Sequence, residues 1–421
     1  MVSTFTCPPV PRRRAPDADR PTHVLTIDID MAAKTVSGML ATRFTPDLDT
    51  GRFQWRLWPN GPRPVAGGAD VSVHRVTVDG AEVATTRPSP TVLQAPFTVQ
   101  AGRTYDLTID FVTTVPGAIN DRIASGSDWM RLGSFYPTVE WEPGVGWNNL
   151  PPTSGFAETS VAPTADYTLT VNGVDGFDVL ATGVEGPAGT WTAPAVRDVA
   201  LAVGRFSESR GTANAGRAVD VVVGAHSGTG VSVVAYRDKV IAVLEQFADR
   251  YGAYPWATYS LAITPSLTGG IEQPAHVNQG PSTLGRTTSH EVGHMWFYGL
   301  LGSHQGRDPW LDEGLASWAE AVFEGAVANF RDRAIPADAR GHLGEGMAFW
   351  ESRTSSYYRG VYVQGTQALD ALGPVEKVDC ALRHHVARHA HQIATPSDLL
   401  ASLEIVFPDA RSTLERYGAE F

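Results

Sequence analysis

Hydrophobic and polar residues alternate with a period of two through the first half of the chain. The segments HVLTIDID (23–30), YDLTIDF (105–111) and DYTLTVNG (166–173) place an apolar side chain at every second position. This alternation is typical of strands that bury one face, and the glycine, proline, asparagine and aspartate residues between the segments indicate turns. The pattern therefore predicts an antiparallel β domain over residues 22–205.

The period changes after residue 205. In VVAYRDKVIAVLEQFADRY (233–251) apolar side chains recur every three or four residues, which predicts an amphipathic helix that ends at Gly252. A strand is predicted at YSLAIT (259–264), and helices predominate afterwards. One begins at Thr395, where Pro396 and Asp398 complete a typical helix start. Residues 206–421 are therefore predicted to form an α-rich second domain.

Composition and charge restrict the possible functions. The 421 residues are 43% hydrophobic and 19% charged, which is typical of a globular protein of about two domains. The net charge of −12 argues against binding to nucleic acid or to an anionic membrane. No stretch is apolar for the ~20 residues of a transmembrane segment. The sequence therefore predicts no nucleic-acid partner and no transmembrane segment.

The N-terminal segment and the two cysteines indicate little about the function. Residues 1–21 are rich in proline and arginine and are predicted to be disordered. They contain no apolar signal-peptide core, so the chain as given is cytoplasmic on its face, or exported if it is a processed form. We leave the localisation open. Cys7 and Cys380 are too few for a disulfide framework, and there is no C-x-x-C metal motif.

The segment HEVGH (290–294) carries candidate metal chemistry. On a helix, His290 and His294 lie on the same face and could bind one Zn²⁺ through their imidazoles. Glu291 could then act as a general base on a water molecule at the metal. Two incidental histidines on a packed helix are the alternative.

The third ligand separates the classes of zinc peptidase. A metzincin would need glycine and histidine where this chain has Phe297 and Leu300. A glutamate is instead available in WLDEGLASW (310–318), where Glu313 follows His294 after an eighteen-residue interval (295–312). Glu320 lies two turns further along the same helix face and is predicted to accept a hydrogen bond from a ligand imidazole.

With this spacing the chain resembles the M1 family of gluzincin aminopeptidases, whose signature is H-E-x-x-H, eighteen residues and a glutamate. WLDEGLASW is similar to the family's W-L-N-E-G-F-A. GGIEQP (269–274) is similar to its G-A/G-M-E-N element, with isoleucine for methionine and Gln273 for asparagine. The resemblance implies that Glu272 binds the free α-amine of the substrate, and that Gly269, Gly270 and Gln273 contribute to substrate binding.

A third element is similar to the family's V-Y-E-x-G-A. VYVQGTQALDAL (361–372) places the catalytic tyrosine at Tyr362, although Tyr357 or Tyr358 could be aligned there instead. Tyr357 matches a second, substrate-side tyrosine of some members. We prefer Tyr362 because the residues around it also fit the family pattern, namely Val361, Gly365, Leu369, Ala371 and Leu372.

The resemblance covers nearly the whole chain and implies a short, two-domain bacterial type. Its expected fold is an antiparallel, saddle-like β domain followed by an α-rich, thermolysin-like catalytic domain with one Zn²⁺ per chain. The expected function is that of a zinc metallopeptidase, an aminopeptidase for peptides with a free N-terminus. Three alternatives stay open: a zinc endopeptidase, a hydrolase of a non-peptide substrate on the same site, and a catalytically idle binding module.

Overall fold

The computed structural model describes residues 5–155 and 160–421. The described residues of the first half form the strands β1 (Thr22–Asp30), β2 (Thr35–Phe44), β3 (Thr50–Arg56), β4 (Asp70–Val78), β5 (Ala81–Glu82), β6 (Thr86–Ser89), β7 (Val92–Val99), β8 (Tyr105–Thr114), β9 (Ile123–Ser125), β10 (Trp129–Leu132), β11 (Trp141–Glu142), β12 (Gly146–Trp147), β13 (Ala165–Asn172), β14 (Asp178–Ala181), β15 (Val184–Glu185), β16 (Thr190–Val196) and β17 (Leu201–Gly204). A short helix, α1 (Pro62–Ala66), and a 3-10 turn (Trp58–Asn60) interrupt them.

These strands form a large sheet and smaller ones packed against it. The large sheet has the order β15-β16-β13-β1-β2-β8-β4-β5, and two smaller sheets have the orders β14-β17-β10-β9 and β3-β7-β6. The alternation predicted in β1 is confirmed, since Leu25, Ile27 and Ile29 are at most 1% exposed. One pair departs from the antiparallel prediction, because β1 and β13 run parallel with Leu25 opposite Leu169. The long chain segment between them permits this crossover.

The second half of the chain contains a mixed sheet and most of the helices. Its strands are β18 (Phe206–Asn214), β19 (Ala218–His226), β20 (Thr258–Ile263), β21 (Gly270–Gln273), β22 (His276–Gln279), β23 (Gly302–Ser303) and β24 (Ile393–Ala394). Its helices are α2 (Val233–Tyr251), α3 (Arg286–Gly293), α4 (Glu313–Phe323), α5 (Val327–Arg331), α6 (Met347–Trp350), α7 (Thr354–Tyr358), α8 (Gln364–Asp370), α9 (Val375–His389), α10 (Pro396–Leu403) and α11 (Ala410–Glu415). Two 3-10 turns (Ser227–Thr229 and Pro309–Leu311) and one π-helical turn (Arg359–Val363) complete this half.

The sheet of the second half places one strand at the edge of the candidate site. The strand order is β18-β19-β20-β22-β21, so β21 is an edge strand among the described residues. The predicted amphipathic helix is α2, which buries Val240, Leu244 and Phe247 completely and ends at Gly252 with φ of 100°. The predicted helix start at Thr395 is also confirmed, because the Thr395 and Asp398 side chains cap each other's backbone. No helix of the described residues is long and apolar enough to cross a membrane.

The described part of the N-terminal segment is tied to the rest of the chain by a disulfide and by hydrogen bonds. Cys7 forms a disulfide with Cys380 on α9, with the two Cα atoms 5.7 Å apart. The Arg14 amide donates to the Ala387 carbonyl at 2.9 Å. Arg20 then binds Asp166 of β13 through two hydrogen bonds of 2.8 and 2.7 Å. A covalent link and these contacts offset the entropy lost by a polar segment that composition alone marks as disordered. Residues 1–4 lie outside the described chain.

Candidate metal centre and active site

Helix α3 brings the two histidines of the H-E-x-x-H segment together. His290 lies in its last turn and His294 follows at its C-terminal end. Their Nε2 atoms are 3.0 Å apart, as expected for side chains one helical turn apart on the same face. Helix α4 packs against α3 at Gly293, where an added Cβ would lie in van der Waals contact, 3.4 Å from the Cα of Ala316. The start of α4 therefore reaches the histidine pair.

Glu313, the first residue of α4, completes a triangle of candidate ligand atoms. Its Oε2 lies 3.0 Å from His290 Nε2 and 3.4 Å from His294 Nε2. Ligands of a tetrahedral Zn²⁺ at ~2.0–2.1 Å are roughly 3.3 Å apart, so the three atoms fit one ion. All three residues are buried.

Two further carboxylates lie behind the imidazoles, on the side away from the triangle. Asp312 Oδ1 is 2.7 Å from His294 Nδ1, and Glu320 Oε2 is 3.3 Å from His290 Nδ1. A carboxylate accepts hydrogen bonds, so Asp312 assigns a proton to His294 Nδ1. His290 Nδ1 lies at ion-pair distance from Glu320, but among the described residues it makes no hydrogen bond. When both Nε2 atoms are deprotonated, two lone pairs and a carboxylate oxygen converge on one point, a donor set that suits a divalent cation.

The charges around the triangle also favour a cation. Burial lowers the pKa of His290, but its contacts with Glu313 and Glu320 outweigh it and raise that pKa to about 10. Burial raises the pKa of Glu313, yet its hydrogen bonds to His290 and His294 bring it below the usual range, so this carboxyl is ionised. The surrounding negative potential that attracts protons would equally attract a metal ion.

Asp312 is a site residue that the sequence analysis did not single out. It is 1% exposed, and its second oxygen accepts a 2.8 Å hydrogen bond from Gln305 Nε2. Gln305 is in turn hydrogen-bonded to Ser160. The available signal was a second carboxylate directly before Glu313 in an otherwise apolar stretch, but its pairing with His294 depends on how α3 and α4 pack.

Glu291 lies between the ligand triangle and the edge strand β21. In the described chain, its Oε2 atom is buried without a hydrogen-bond partner. Burial raises the pKa of this carboxyl to about 7, although His290 and His294 act to lower it. Gly270 makes room for it, since a Cβ there would lie 2.4 Å from Glu291 Cδ. A carboxylate with this pKa can exchange a proton with water near neutral pH.

Strand β21 places Glu272 next to this group. One ligand atom from each of Glu272, Glu291 and His294 lies within 4.8 Å of the others. Gly269, Gly270 and Glu272 line a cavity of about 370 Å³ together with the candidate metal ligands. Gln273 is buried but is not among the residues that line this cavity. Of the residues predicted from the G-A/G-M-E-N resemblance, the structure therefore brings all but Gln273 to the cavity wall.

Tyr362 enters the cavity from the π-helical turn. Its hydroxyl donates a 2.5 Å hydrogen bond to Glu313 Oε1, and its ring stacks on that of His290 with centroids 5.5 Å apart. Burial, followed by the charge of Glu313, raises the pKa of Tyr362 well above its usual value. The hydroxyl therefore stays protonated and remains a hydrogen-bond donor.

The two neighbouring tyrosines occupy different positions. Tyr358 lines the cavity beside Tyr362, with ring centroids 5.0 Å apart. Tyr357 does not line it. Its ring packs 5.7 Å from that of Tyr362 and borders an adjoining cavity of about 270 Å³, which Tyr358 and Tyr362 also border. Tyr357, which was predicted to lie on the substrate side, is thus separated from the candidate metal ligands by Tyr362.

Arg286, at the start of α3, was also missed by the sequence analysis. It lines the cavity and forms an ion pair with Glu320. Its guanidinium lies 4.7 Å from the centroid of the Phe330 ring. Its distance from His290 in sequence, one helical turn, was a visible signal that this side chain would lie on the same face.

Comparisons with known proteins establish the fold. No family model matches this chain. A solved mutant of an M1 zinc metallopeptidase from Deinococcus radiodurans, bound to a Tyr-Ser-Ala substrate, superposes with a TM-score of 0.71 at 17% identity, covering 96% of this chain and 95% of that chain. The M1 zinc metallopeptidase from the same organism gives 0.69 at 16% identity, covering 96% and 93%. A two-domain M1 mutant bound to L-arginine gives 0.66 at 18%, covering 96% and 94%. The chain therefore has the two-domain fold of these peptidases.

Proposed function

We propose that this chain is a zinc metallopeptidase of the M1 gluzincin type that removes residues from the N-terminus of peptides. The observation that carries the proposal is the triangle of His290 Nε2, His294 Nε2 and Glu313 Oε2, with separations of 3.0–3.4 Å. The shared fold with M1 zinc metallopeptidases adds support. When bound by these residues, one Zn²⁺ would polarise the scissile carbonyl and make water a better nucleophile near neutral pH.

The residues of the chain would divide the remaining work. Glu291 accepts a proton from the attacking water and donates it to the leaving amine, which suits its position beside the ligands and its pKa of about 7. The Tyr362 hydroxyl turns from Glu313 to the carbonyl oxygen as negative charge develops there. One such donor is typically worth ~2.7–4 kcal/mol of transition-state stabilisation.

Glu272 would make the enzyme an exopeptidase. Its buried carboxylate lines the cavity together with Glu291 and Glu313, so a cation that enters the cavity is attracted to this position. The free ammonium of a peptide is such a cation, and its binding to Glu272 fixes the cleaved bond one residue from the N-terminus. Gln273 lies away from the cavity wall, so amine recognition rests on Glu272 in this proposal.

Aminoacyl arylamides and their N-acetylated counterparts test the proposal directly. Hydrolysis should require a free amine, stop on treatment with a chelator and return with added Zn²⁺. Equal cleavage of acetylated peptides would leave only a zinc endopeptidase. Bound zinc without hydrolysis of any amide would instead favour a hydrolase of another substrate or an idle binding module.

A further inference from the structure

The cavity has two chemically different ends. Arg286, His290 and His294 follow one another at four-residue intervals on one face of α3, about 6 Å apart per step. Glu272 lies at the His294 end of this row, within 4.8 Å of that histidine and Glu291. Arg286 stands at the opposite end, beside the Glu320 that contacts His290. A peptide whose ammonium pairs with Glu272 and whose first bond lies at the ligand triangle would therefore extend towards Arg286.

The charges at the two ends are opposite. Four carboxylates line the cavity: Glu272, Glu291, Glu313 and Glu320. Among the lining residues that the structure describes, Arg286 is the only lysine or arginine. A substrate carboxylate would be repelled from most of the wall, so Arg286 is the position at which the protein itself offers it a partner.

Arg286 is held in place yet remains accessible. Its Nε donates to Glu320, and its guanidinium rests against the Phe330 ring at 4.7 Å from the centroid. The side chain is still 41% exposed. A guanidinium has five N–H donors in a planar fork, so the ion pair with Glu320 leaves donors for a second carboxylate.

We propose that Arg286 binds the C-terminal carboxylate of short peptides, so that dipeptides and tripeptides are the preferred substrates. This inference rests on the proposed aminopeptidase function. A peptide spans at most ~3.3–3.6 Å per residue, and one helical turn separates Arg286 from His290. When a peptide has one or two residues beyond the cleaved bond, its C-terminal carboxylate therefore lies within reach of Arg286. The carboxylate of a longer peptide would lie beyond Arg286.

Matched substrates that differ only at the C-terminus test this assignment. Leu-Ala and Leu-Ala-Ala should be cleaved with a higher kcat/KM than their C-terminal amides, by about tenfold or more for loss of a charge-assisted hydrogen bond. The preference should arise mainly in KM, because the carboxylate is bound equally before and during the reaction. It should disappear for peptides of five residues.

Variants of the arginine separate its role from a general effect on folding. Arg286→Gln should reduce the acid-to-amide ratio to about one, and Arg286→Lys should retain part of it. Arg331→Gln, which removes another accessible arginine–carboxylate pair outside the cavity, should keep the wild-type ratio. Zinc content and thermal unfolding identify any variant that fails to fold. In that case the acid-to-amide ratio of kcat/KM in the wild type alone tests the proposal.

Binding measurements keep the inference independent of turnover. Titration of zinc-loaded Glu291→Gln protein with Leu-Ala and its amide should give a lower Kd for the acid. Equal affinity, or a ratio that survives in Arg286→Gln, would overturn the role of Arg286 while leaving the aminopeptidase proposal intact. If acid and amide differ in affinity but neither is cleaved by the wild type, the proposed activity fails and the carboxylate site stands.

Discussion

His294 and His290 contribute equivalent nitrogen atoms to the ligand triangle, but their supporting carboxylates differ. Asp312 holds His294 at 2.7 Å, both side chains are 1% exposed, and Gln305 binds the far side of Asp312. Glu320 lies 3.3 Å from His290 and shares its charge with an arginine that is 41% exposed. The carboxylate behind His294 is thus buried and hydrogen-bonded, whereas the carboxylate behind His290 is ion-paired with an accessible arginine. Under the proposed function, the His294 side would fix the metal and the His290 side would also meet the substrate.

The largest expected effect is loss of the bound zinc, and it should be the same whichever of the two histidines is removed. His290→Ala and His294→Ala should each lose the bound zinc, because each variant keeps only two of the three protein ligands that a catalytic zinc site needs. Metal analysis of purified protein measures this, with His342→Ala, at a partly exposed position outside the triangle, as the control. A full equivalent of zinc in either variant would show that the triangle is not the metal site.

The next effect concerns the His294 side, where Glu291 stands. Glu291→Gln should retain zinc and lose about 10²–10⁴-fold in kcat, since the general base is removed without a ligand. A base must be ionised, so wild-type activity should fall as the pH drops below the pKa of Glu291, about 7 without a metal and lower beside a dication. Near-normal turnover of the zinc-bound variant would assign the base elsewhere.

The matching group on the His290 side is the Tyr362 hydroxyl. Tyr362→Phe should keep zinc and lower kcat by about 10²–10³-fold, because the hydroxyl acts on charge present only in the transition state. Tyr357→Phe is the matched control and should change kcat much less, since Tyr357 lies behind Tyr362. Steady-state kinetics on one arylamide compares them, and the reverse ranking would move the role to Tyr357.

Local patterns predicted the parts of the molecule that local geometry determines. The alternation in β1 and the three-to-four spacing in α2 identified their buried faces, and the interval between His290 and His294 predicted two adjacent imidazoles. These relations depend only on the repeat of a strand or a helix. The third candidate ligand, Glu313, was predicted from the spacing of a motif, and this spacing reflects how α3 packs against α4.

Contacts between distant segments were beyond such reasoning. The support of His294 by Asp312 depends on the approach of α4 to α3, and the pairing of Arg286 with Glu320 depends on the same packing. Cys7 and Cys380 are separated by 373 positions, so nothing local indicated that they pair. The contacts of the N-terminal segment could not be predicted for the same reason, because its partners lie on α9 and β13.

The smallest effect is the one that distinguishes the two sides. Asp312→Asn should weaken zinc binding by about 10–100-fold, the usual range for loss of a carboxylate behind a ligand histidine. Glu320→Gln should weaken it less, because its contact with His290 is longer and Arg286 already draws on its charge. Competition with a chromogenic chelator gives both affinities, and thermal unfolding of the metal-free proteins controls for damage to the fold.

The Glu320→Gln change also removes the anionic partner of Arg286, which leaves this arginine more available to a peptide carboxylate. The KM of the Glu320→Gln variant for dipeptides should therefore fall, even as its zinc affinity declines slightly. Equal zinc affinities in the two variants would mean that the histidines are supported alike, and that the contrast in burial between Asp312 and Glu320 has no energetic counterpart.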